Sequence, residues 1–555
     1  MRLTPQKCIF VTNINSTSMQ EAECKCNAGY IPLPDTGFFS RLVLDYIGQS
    51  PSLRPFYEFQ PDLEGMQQAI EQRKKYPVDR HSLVNALKEQ YSNSAQMPAV
   101  ERNIRLLQDE NTFTICTAHQ PNLATGYAYF IYKIMHAIVL AAHLGKQFPS
   151  YNFVPVYYIG SEDDDIEELG FFRYNDHSFR WRTPQTGAVG SMRTEELTNL
   201  FQDFFRILGP TNEHTEYLKE LLTNAYLRHN TISEATRYLV HTLMGKYGIV
   251  VIDPQDKILK KAFTQIATQE LCSPEAHRLV QETNRQLQAG YSTQAFVRPI
   301  NFFYLDGGIR QRIEMQEDTW KVVGTGISWT GEQLRQTVNE HPEYFSPNVI
   351  LRGLYQESIL PNVAFIGGGS ELAYWMQLKS VFEHYKVFYP TLVLRQSVQF
   401  ISAYQQDIIN KLHFSDRDIF LPAEQLVKDR ISQLSQNDLK ADGEWHTIVQ
   451  ALQSIRAKAA RVDKSLERSV EAALKKMQYQ VEIVEKKIYK AEKRNLSTEI
   501  DRIYKMKAML FPGNHSLQER YYTFMQEYAH MGDRYFECLE KTILPFGDQF
   551  LIINN

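Results

Sequence analysis

Residues 112–143 constrain the fold more than any other part of the chain. Residues 112–116 are a β-prone run, residues 117–126 form a polar loop, and the rest is a long apolar segment with helical spacing. Such a unit begins a doubly wound α/β fold, in which ligands bind where the strand ends and the next helix starts. The candidate binding residues of this loop are Thr117, His119, Gln120, Asn122, Thr125 and Gly126. A buried βα unit without a ligand is the alternative interpretation.

Acidic residues follow the next predicted strand, which is the continuous apolar run 153–159. A run of this kind is typical of a parallel strand that is buried on both faces. It leads into Glu162, Asp163 and Asp165, at the place where α/β enzymes hold Mg²⁺ or ligand hydroxyl groups. A solvated acidic turn that starts the next helix favourably is the alternative.

A second strand–loop–helix unit is predicted at residues 363–384, where the strand 363–366 is followed by the sequence GGGSE. Glycines at this place allow backbone amides to approach an anion or a carboxylate. Polar side chains on one face of the following helix strengthen this prediction. The candidate binding residues of the unit are Gly367, Gly368, Glu371 and Tyr374.

Two segments beside this unit also carry polar residues. The sequence SPNVILRGLYQESILP predicts a helix that Ser346 caps. The apolar run 389–394 predicts a further strand with polar residues at its end. The candidate binding residues of the two segments are Arg352, Gln356, Glu357, Arg395 and Ser397.

The bulk properties exclude several classes of protein. A chain of 555 residues is too long for one core, so two or three domains are expected. The net charge of −4 gives no nucleic-acid footprint, and no apolar run approaches the roughly 18 residues of a membrane span. The N-terminus has no sustained apolar run, so no signal peptide is predicted. Six scattered cysteines are too few for a disulfide framework in so long a chain, which favours a cytoplasmic protein.

The character of the sequence changes near residue 400, where only helical patterns remain. Residues 448–491 carry apolar residues at alternating three- and four-residue steps, the pattern of a coiled-coil seam of about six heptads. The seam needs a partner helix, which is either a second copy of the chain or one of three segments of the same chain, Phe400–Leu412, Leu426–Leu434 and Leu496–Leu510. The prediction is a homodimer through residues 446–494. The basic residues of this region are interpreted as a solvated surface, with a phosphate-binding arm as the alternative.

These observations predict four segments. Residues 1–18 lack periodicity and are expected to be a tail, or to precede a true start at Met19. The other predicted segments are an α/β catalytic core at 19–398 with an insertion at about 170–320, a helical coiled-coil domain at 399–515, and a C-terminal helix and strand at 516–555 that return to the core.

Four motifs of the chain resemble those of the bacillithiol-biosynthesis cysteine-adding enzymes, the BshC family of cysteine ligases. They are TAHQPNLATG with Tyr132-Lys133, VPVYYIGSEDDDIEE, SPNVILRGLYQESILPNVAFIGGGSELAYW and PTLVLRQS. The resemblance implies a Rossmann-like core with inserted connecting segments, related to class I nucleotidyl-transferring and synthetase-like enzymes. It also implies a coiled coil used for dimerisation. The implied reaction is the last step of bacillithiol biosynthesis, in which cysteine is joined through its carboxyl group to the amine of glucosaminyl-malate.

The chain departs from the family's motifs at four positions. Ala118, His119 and Asn122 stand where the family usually has Gly, Gln and Gly, and Asp164 stands in place of a His. Residues 117–126 are still interpreted as a ligand-binding loop, but a histidine in place of the family's glutamine is a weaker basis for assigning His119 as a catalytic base. The residues predicted to be catalytic are nonetheless Asp163, Asp165 and His119.

The remaining candidates are expected to bind substrate or nucleotide. Arg352 is expected to pair with a substrate carboxylate such as that of malate, because a planar guanidinium binds a carboxylate through two hydrogen bonds. Glu371 is expected to accept a hydrogen bond from an ammonium group. Activation of a carboxylate in water is achieved most simply with ATP, so ATP and Mg²⁺ are the expected cofactors, with the metal ligands left open.

Two rival classes of function remain. A nucleotidyl-transferring or tRNA-charging enzyme is disfavoured because neither a His-x-Gly-His nor a Lys-Met-Ser-Lys-Ser sequence is present. A coiled-coil scaffold with an inert α/β part is disfavoured by the polar residues at three predicted strand ends. The expected partners are therefore cysteine, glucosaminyl-malate and a second copy of the chain, with no nucleic acid and no membrane.

Overall fold

The structure is a computed structural model that describes residues 26–209, 211–435 and 438–554. The strands of the described residues are β1 Asn27–Pro32, β2 Thr112–His119, β3 Asn152–Ile159, β4 Phe171–Tyr174, β5 His177–Arg180, β6 Val250–Ile252, β7 Phe302–Asp306, β8 Ile309–Gln316, β9 Thr319–Val322, β10 Ser328–Thr330, β11 Phe345–Pro347, β12 Asn362–Gly367, β13 Thr391–Leu394, β14 Val398–Ile401 and β15 Gln549–Asn554.

The helices of the first two thirds are α1 Leu33–Thr36, α2 Arg41–Ile47, α3 Leu63–Arg73, α4 Arg80–Gln90, α5 Pro98–Leu106, α6 Tyr129–Gln147, α7 Ile166–Leu169, α8 Thr198–Ile207, α9 Glu213–Arg228, α10 Ile232–Met244, α11 Lys257–Lys261, α12 Thr264–Cys272, α13 Ala276–Leu287, α14 Gly331–Glu340, α15 Val349–Ile359, α16 Gly369–Met376 and α17 Lys379–Tyr385. Those of the last third are α18 Ala403–Leu412, α19 Ala423–Leu434, α20 Asp442–Val462, α21 Leu466–Asn495, α22 Ser497–Leu510, α23 Pro512–His515, α24 Met525–Met531 and α25 Arg534–Thr542.

A five-stranded parallel sheet forms the centre of the α/β core. Its strands lie in the order β13-β12-β2-β3-β6, and every neighbouring pair runs parallel. Numbered by their own sequence order, the strands lie 5-4-1-2-3, which is the strand order of the Rossmann fold. The strand β2 is buried along nearly its whole length, as expected of a strand covered by helices on both faces. The prediction of a Rossmann-like doubly wound core is confirmed.

The predicted insertion at about 170–320 does not form one unit, because a strand of the central sheet lies inside it. Val250–Ile252 pairs parallel with β3, and Val156 lies opposite Val250. Two excursions therefore leave the sheet. The first carries the β4–β5 hairpin and the four helices α7 to α10, and the second carries an antiparallel sheet of order β10-β9-β8-β7-β11. The strand has only three residues, so its apolar run is too short to indicate from sequence which sheet it joins.

The predicted coiled-coil seam at residues 448–491 is divided between two helices, because the chain turns back on itself at residues 463–465, and none of the three predicted partner segments of the chain is needed to pair its two halves. Asp463 accepts a hydrogen bond from the backbone N–H of Ser465 in this turn (2.7 Å). The helices α20 and α21 are antiparallel, since Arg456 pairs with Glu467 at 2.7 Å near the turn. Far from it, the backbone of residue 441 bonds to the carboxylate of residue 485 at 2.8 Å. The two halves of the seam are thus partners within one chain, and we call this unit the helical hairpin.

Both ends of the described chain meet in a separate three-stranded sheet of order β1-β15-β14. The strand β15 pairs antiparallel with β1 and parallel with β14, which directly follows the core. Cys26 and Cys538 form a disulfide beside this sheet, so the expectation of no disulfide framework missed one bond. Sequence spacing could not reveal the pair, since 512 residues separate its members. None of the helices described is long and apolar enough to cross a membrane.

Candidate active site

A cavity of about 650 Å³ lies at the carboxyl ends of the central strands. It opens between the ends of β2 and β12, where the strand order reverses direction, which is where ligands bind in open α/β sheets. The predicted residues that line it are His119, Gln120, Glu162, Asp163, Arg352, Gly368, Glu371, Tyr374 and Arg395. The three polar strand ends identified in the sequence therefore do converge on one site.

Arg352 provides a positive charge without an ionic partner in the cavity. It lies on α15, whose N-cap is Asn348 rather than the predicted Ser346, because Ser346 belongs to β11. Its guanidinium donates to the hydroxyl of Tyr374 at 2.8 Å and lies over the ring of Tyr158. Burial lowers the pKa of Arg352, but the neighbouring tyrosines and a nearby glutamate outweigh burial and raise the pKa. The arginine stays charged and keeps donors free for an anion.

His119 lies at the tip of β2, with its ring half-buried at the cavity wall. The ring contacts the edges of Tyr129 and Phe130, with centroids 5.4 and 5.5 Å away. Burial, followed by the nearby charges of Lys133 and two arginines, holds the pKa of His119 well below its usual range. The imidazole is therefore neutral at pH 7 and can accept a proton.

The acidic loop after β3 divides into residues that face the cavity and one that does not. Asp163 lines the cavity and accepts a hydrogen bond from the side chain of Gln120 at 3.2 Å. Glu162 is buried and pairs with Lys260 at 2.6 Å. Asp165 is exposed and caps α7 by accepting from the backbone N–H of Glu168 at 3.1 Å. The helix-start alternative thus describes Asp165. Asp163 also stabilises the turn, because it accepts from the backbone N–H of Asp164 at 2.8 Å, but its carboxylate lines the cavity and forms no ion pair among the described residues.

Glu371 fixes the conformation of the glycine loop at the end of β12. This carboxylate accepts from the backbone N–H of Gly368 at 2.9 Å and pairs with the buried ammonium of Lys133 at 2.7 Å. Lys133 also donates to the carbonyl of Ala118 at 2.5 Å. The pair therefore ties the first loop to the second, and both the Gly368 amide and Glu371 already have partners within the chain.

Arg395 lines the cavity but is neutralised by a residue of the C-terminal segment. Its guanidinium forms two hydrogen bonds with Glu519, at 2.6 and 3.0 Å, and Glu519 has no exposed surface. The same carboxylate accepts from the hydroxyl of Ser397 at 3.2 Å and from the backbone N–H of Val398 at 3.0 Å. Glu519 thereby attaches the C-terminal segment to the wall of the site.

Besides Asp165, eight predicted site residues do not line the cavity. They are Thr117, Asn122, Thr125, Gly126, Gln356, Glu357, Gly367 and Ser397. Thr117 bonds to the carbonyl of Ile366 on the neighbouring strand at 2.9 Å. The loop after β2 turns inward through positive φ at Thr125 (67°) and Gly126 (62°), so its middle is buried. Their assignment as ligand contacts stays a prediction.

Sequence reasoning missed several residues of the cavity. Tyr158 precedes the acidic loop, and its inward direction depends on strand register. Arg310 comes from the β7–β8 hairpin and pairs with Asp164 at 2.7 Å. Lys133 and Glu519 form ion pairs with the cavity residues Glu371 and Arg395, respectively. In the sequence, 386 residues separate Lys133 from Glu519. Tyr132-Lys133 belongs with the TAHQPNLATG motif, so the position of Lys133 was a usable signal, whereas nothing local marks Glu519.

The acidic residues do not fit a metal ion held by the protein. No group of three or more His, Cys, Asp or Glu residues that could hold a metal occurs in the described part of the chain. Glu162 is occupied by Lys260, and Asp165 caps a helix. The donors needed for several oxygen ligands around Mg²⁺ are therefore not assembled here.

The fold and the cavity together define a Rossmann-like α/β enzyme whose site combines a neutral histidine with a guanidinium and a carboxylate that form no ion pair among the described residues. Comparison with known families agrees with this class. Residues 27–396 match the family described as "Bacillithiol biosynthesis BshC, N-terminal Rossmann-like domain", and residues 398–555 match "Bacillithiol biosynthesis BshC, C-terminal coiled-coil domain". The chain belongs to the BshC family of bacillithiol biosynthesis enzymes.

Curated relatives are similar to the chain over almost its whole length. Proteins named "Putative cysteine ligase BshC" occur in Flavobacterium johnsoniae and Flavobacterium psychrophilum, at 39% and 37% identity. The matches cover 93% and 94% of this chain and 98% of each relative. A protein of the same name in Christiangramia forsetii is 38% identical and covers 94% of this chain and 98% of its own length. The similarity thus includes both the core and the helical part.

Proposed function

We propose that the chain catalyses the last step of bacillithiol biosynthesis, joining the carboxyl group of L-cysteine to the amine of glucosaminyl-malate. The observation that carries this proposal is that the Arg352 guanidinium and the Asp163 carboxylate line the same cavity. Neither side chain forms an ion pair among the residues that the structure describes. Such a site is complementary to a substrate that carries a carboxylate at one end and amine or hydroxyl groups at the other.

The proposal gives each of these residues a role. Arg352 binds a carboxylate of the malate group through its planar donors, with Tyr374 fixing the orientation of the guanidinium. Asp163 and Gln120, which bond to each other, orient the sugar amine. His119 is neutral and is proposed to accept the proton that the amine loses when the amide bond forms; the lowered pKa makes it a weak base, suited to a proton that becomes acidic only as the bond forms.

ATP is proposed as the co-substrate that activates the cysteine carboxyl group. Amide formation from a free carboxylate is unfavourable in water, and ATP is the simplest source of the missing free energy. The acidic residues do not assemble a metal site, so any Mg²⁺ is proposed to arrive with the nucleotide. The proposed location is the cytoplasm, where cysteine and ATP are available.

A homodimer through the helical hairpin is also proposed. Six apolar residues of the hairpin remain exposed within one chain, and contact with a second hairpin would cover them. They are Ile455, Val462, Leu466, Met477, Val484 and Ile488.

The test incubates the purified full chain with cysteine, glucosaminyl-malate and ATP, and detects the amide product by mass spectrometry. Omission of each component in turn identifies what is consumed, and analysis of the nucleotide shows whether ADP or AMP is released. Product that forms without ATP would refute the proposed activation. Absence of product under all conditions, with a folded and dimeric protein, would refute the proposed reaction.

A further inference from the structure

The Cys26–Cys538 disulfide joins the two ends of the described chain. Cys26 immediately precedes β1, and Cys538 lies in the middle of α25. Their Cα atoms are 5.6 Å apart, within the range of ordinary disulfides. A second contact supports the same junction, because the hydroxyl of Tyr30 on β1 donates to the carbonyl of Thr542 at the end of α25 (2.8 Å). The bond therefore fastens a surface strand onto a helix that packs against the core.

The fastened strand is connected to the wall of the cavity through two further strands. The strand β1 pairs with β15 along six residues, and β15 pairs with β14 on its other side. At the start of β14, Val398 donates its backbone N–H to Glu519, the partner of Arg395 in the cavity. The disulfide thus fastens one edge of a small sheet, and β14 at the opposite edge binds Glu519, the partner of Arg395 in the cavity.

The two cysteines differ from the other thiols that the structure describes. Burial raises the pKa of Cys116 well above its usual value and also raises the pKa of the half-buried Cys272, so both are poor nucleophiles. Cys538 is almost fully buried, whereas Cys26 is half-buried. A small disulfide from solution therefore meets Cys26 first.

We propose that Cys26 and Cys538 are a thiol–disulfide exchange site that low-molecular-weight disulfides close and low-molecular-weight thiols open. In closing, the Cys26 thiolate attacks one sulfur of a disulfide RSSR, forms a mixed disulfide and releases one RS⁻. The Cys538 thiolate then attacks the Cys26 sulfur and releases the second RS⁻. The two protein thiols lose two electrons and two protons, and RSSR is reduced to two RSH. Opening is the reverse reaction.

This inference goes beyond the proposed reaction but rests on the proposed cytoplasmic location, which is a reducing compartment. Disulfides in reducing compartments are usually reversible rather than purely structural. The open form lacks a covalent tie between residues 512 positions apart, so its three-stranded sheet is expected to be less stable. Cysteine and cystine are therefore predicted to set the stability of this sheet.

The experiment treats the full chain with cystine or with excess cysteine and measures three quantities. These are the Cys26–Cys538 cross-linked peptide by mass spectrometry, the melting temperature, and hydrogen exchange at β1 and β15. We expect reversible loss of the peptide in cysteine, a melting temperature lower by at least about 3 °C, and faster exchange in both strands. Cys26→Ser should match the reduced wild-type protein under both conditions, and Cys272→Ser should match wild type throughout.

Four outcomes would overturn the proposal. They are the absence of the cross-linked peptide after cystine, a bond from Cys538 to a different cysteine, resistance of the native protein to cysteine, and equal melting temperature and exchange in both states. Reduced wild-type protein supplies the comparison without any substitution, so a folding defect in Cys26→Ser cannot obscure the result.

Discussion

Replacement of Arg352 by lysine tests the central feature of the site. The guanidinium has five N–H donors, of which two are used within the chain, on Gln356 at 3.3 Å and on Tyr374 at 2.8 Å. Enough donors remain for a two-bond contact with a carboxylate. Lysine keeps the positive charge but loses the planar fork, so one charge-assisted hydrogen bond is lost.

The expected magnitude follows from that single bond. A charge-assisted hydrogen bond contributes about 1.5–3 kcal/mol, and each 1.4 kcal/mol corresponds to about a tenfold change in affinity. Arg352→Lys should therefore raise KM for glucosaminyl-malate by about 10- to 150-fold. The melting temperature should change little, because a lysine ammonium can still donate to Tyr374.

Steady-state kinetics with varied glucosaminyl-malate at saturating cysteine and ATP provide the assay. Arg41→Lys is the matched control, because the Arg41 side chain is 77% exposed, forms an ion pair with Asp45 one turn away and lies outside the cavity. The control should behave as wild type. If KM and kcat of Arg352→Lys both remain within about twofold of wild type, Arg352 does not bind the substrate and the assignment is wrong.

Four further predictions follow. Asp163→Asn should fold normally but lower kcat/KM by at least about 100-fold, and unchanged turnover would show that the carboxylate has no role. Activity should fall at acid pH as the depressed pKa of His119 is crossed, and His119→Gln should remove that limb from the pH profile if the imidazole is the base. Leu466→Glu with Val484→Glu should shift the chain from dimer to monomer in sedimentation at micromolar concentration, since each is at least 40% exposed on the hairpin; a wild-type monomer would refute the dimer. Burial raises the pKa of Glu357 from 4.5 to about 7, so the folded protein keeps a proton that the unfolded chain loses, and stability should fall as the pH rises between these values. Glu357→Gln should remove this loss of unfolding free energy, which amounts to up to about 3 kcal/mol at pH 8 when measured by denaturant unfolding. The same dependence of unfolding free energy on pH in both proteins would contradict the prediction.

The sequence indicated the fold where a local pattern carries the information. A buried strand followed by a polar loop and a helix has a distinctive alternation of apolar and polar residues, and this unit appears at β2 and again at β12. Parallel strands also end at the same edge of a sheet, so the polar residues after three of them were expected to meet. The cavity contains residues from each of these ends.

Contacts between distant residues could not be predicted in the same way. The turn at Asp463 interrupts a heptad pattern that continues on both sides of it, because an antiparallel hairpin needs the same apolar spacing as one long helix. The short strand Val250–Ile252 joins the central sheet although its neighbours belong to separate excursions. The spacing of apolar residues shows which face of a helix or strand is buried, but not which other helix or strand covers that face.

The chain by itself therefore determined the class of fold, the strand ends that carry polar groups and the apolar helical seam. Each of these depends on residues within one or two turns or strands, where backbone geometry fixes the spacing. Only the tertiary structure decided that Glu519 neutralises Arg395, that Lys133 occupies Glu371 and that Cys26 reaches Cys538. These pairs form because packing of the whole core brings their elements together. The free energy of that packing comes from many residues throughout the chain, so no local motif indicates it.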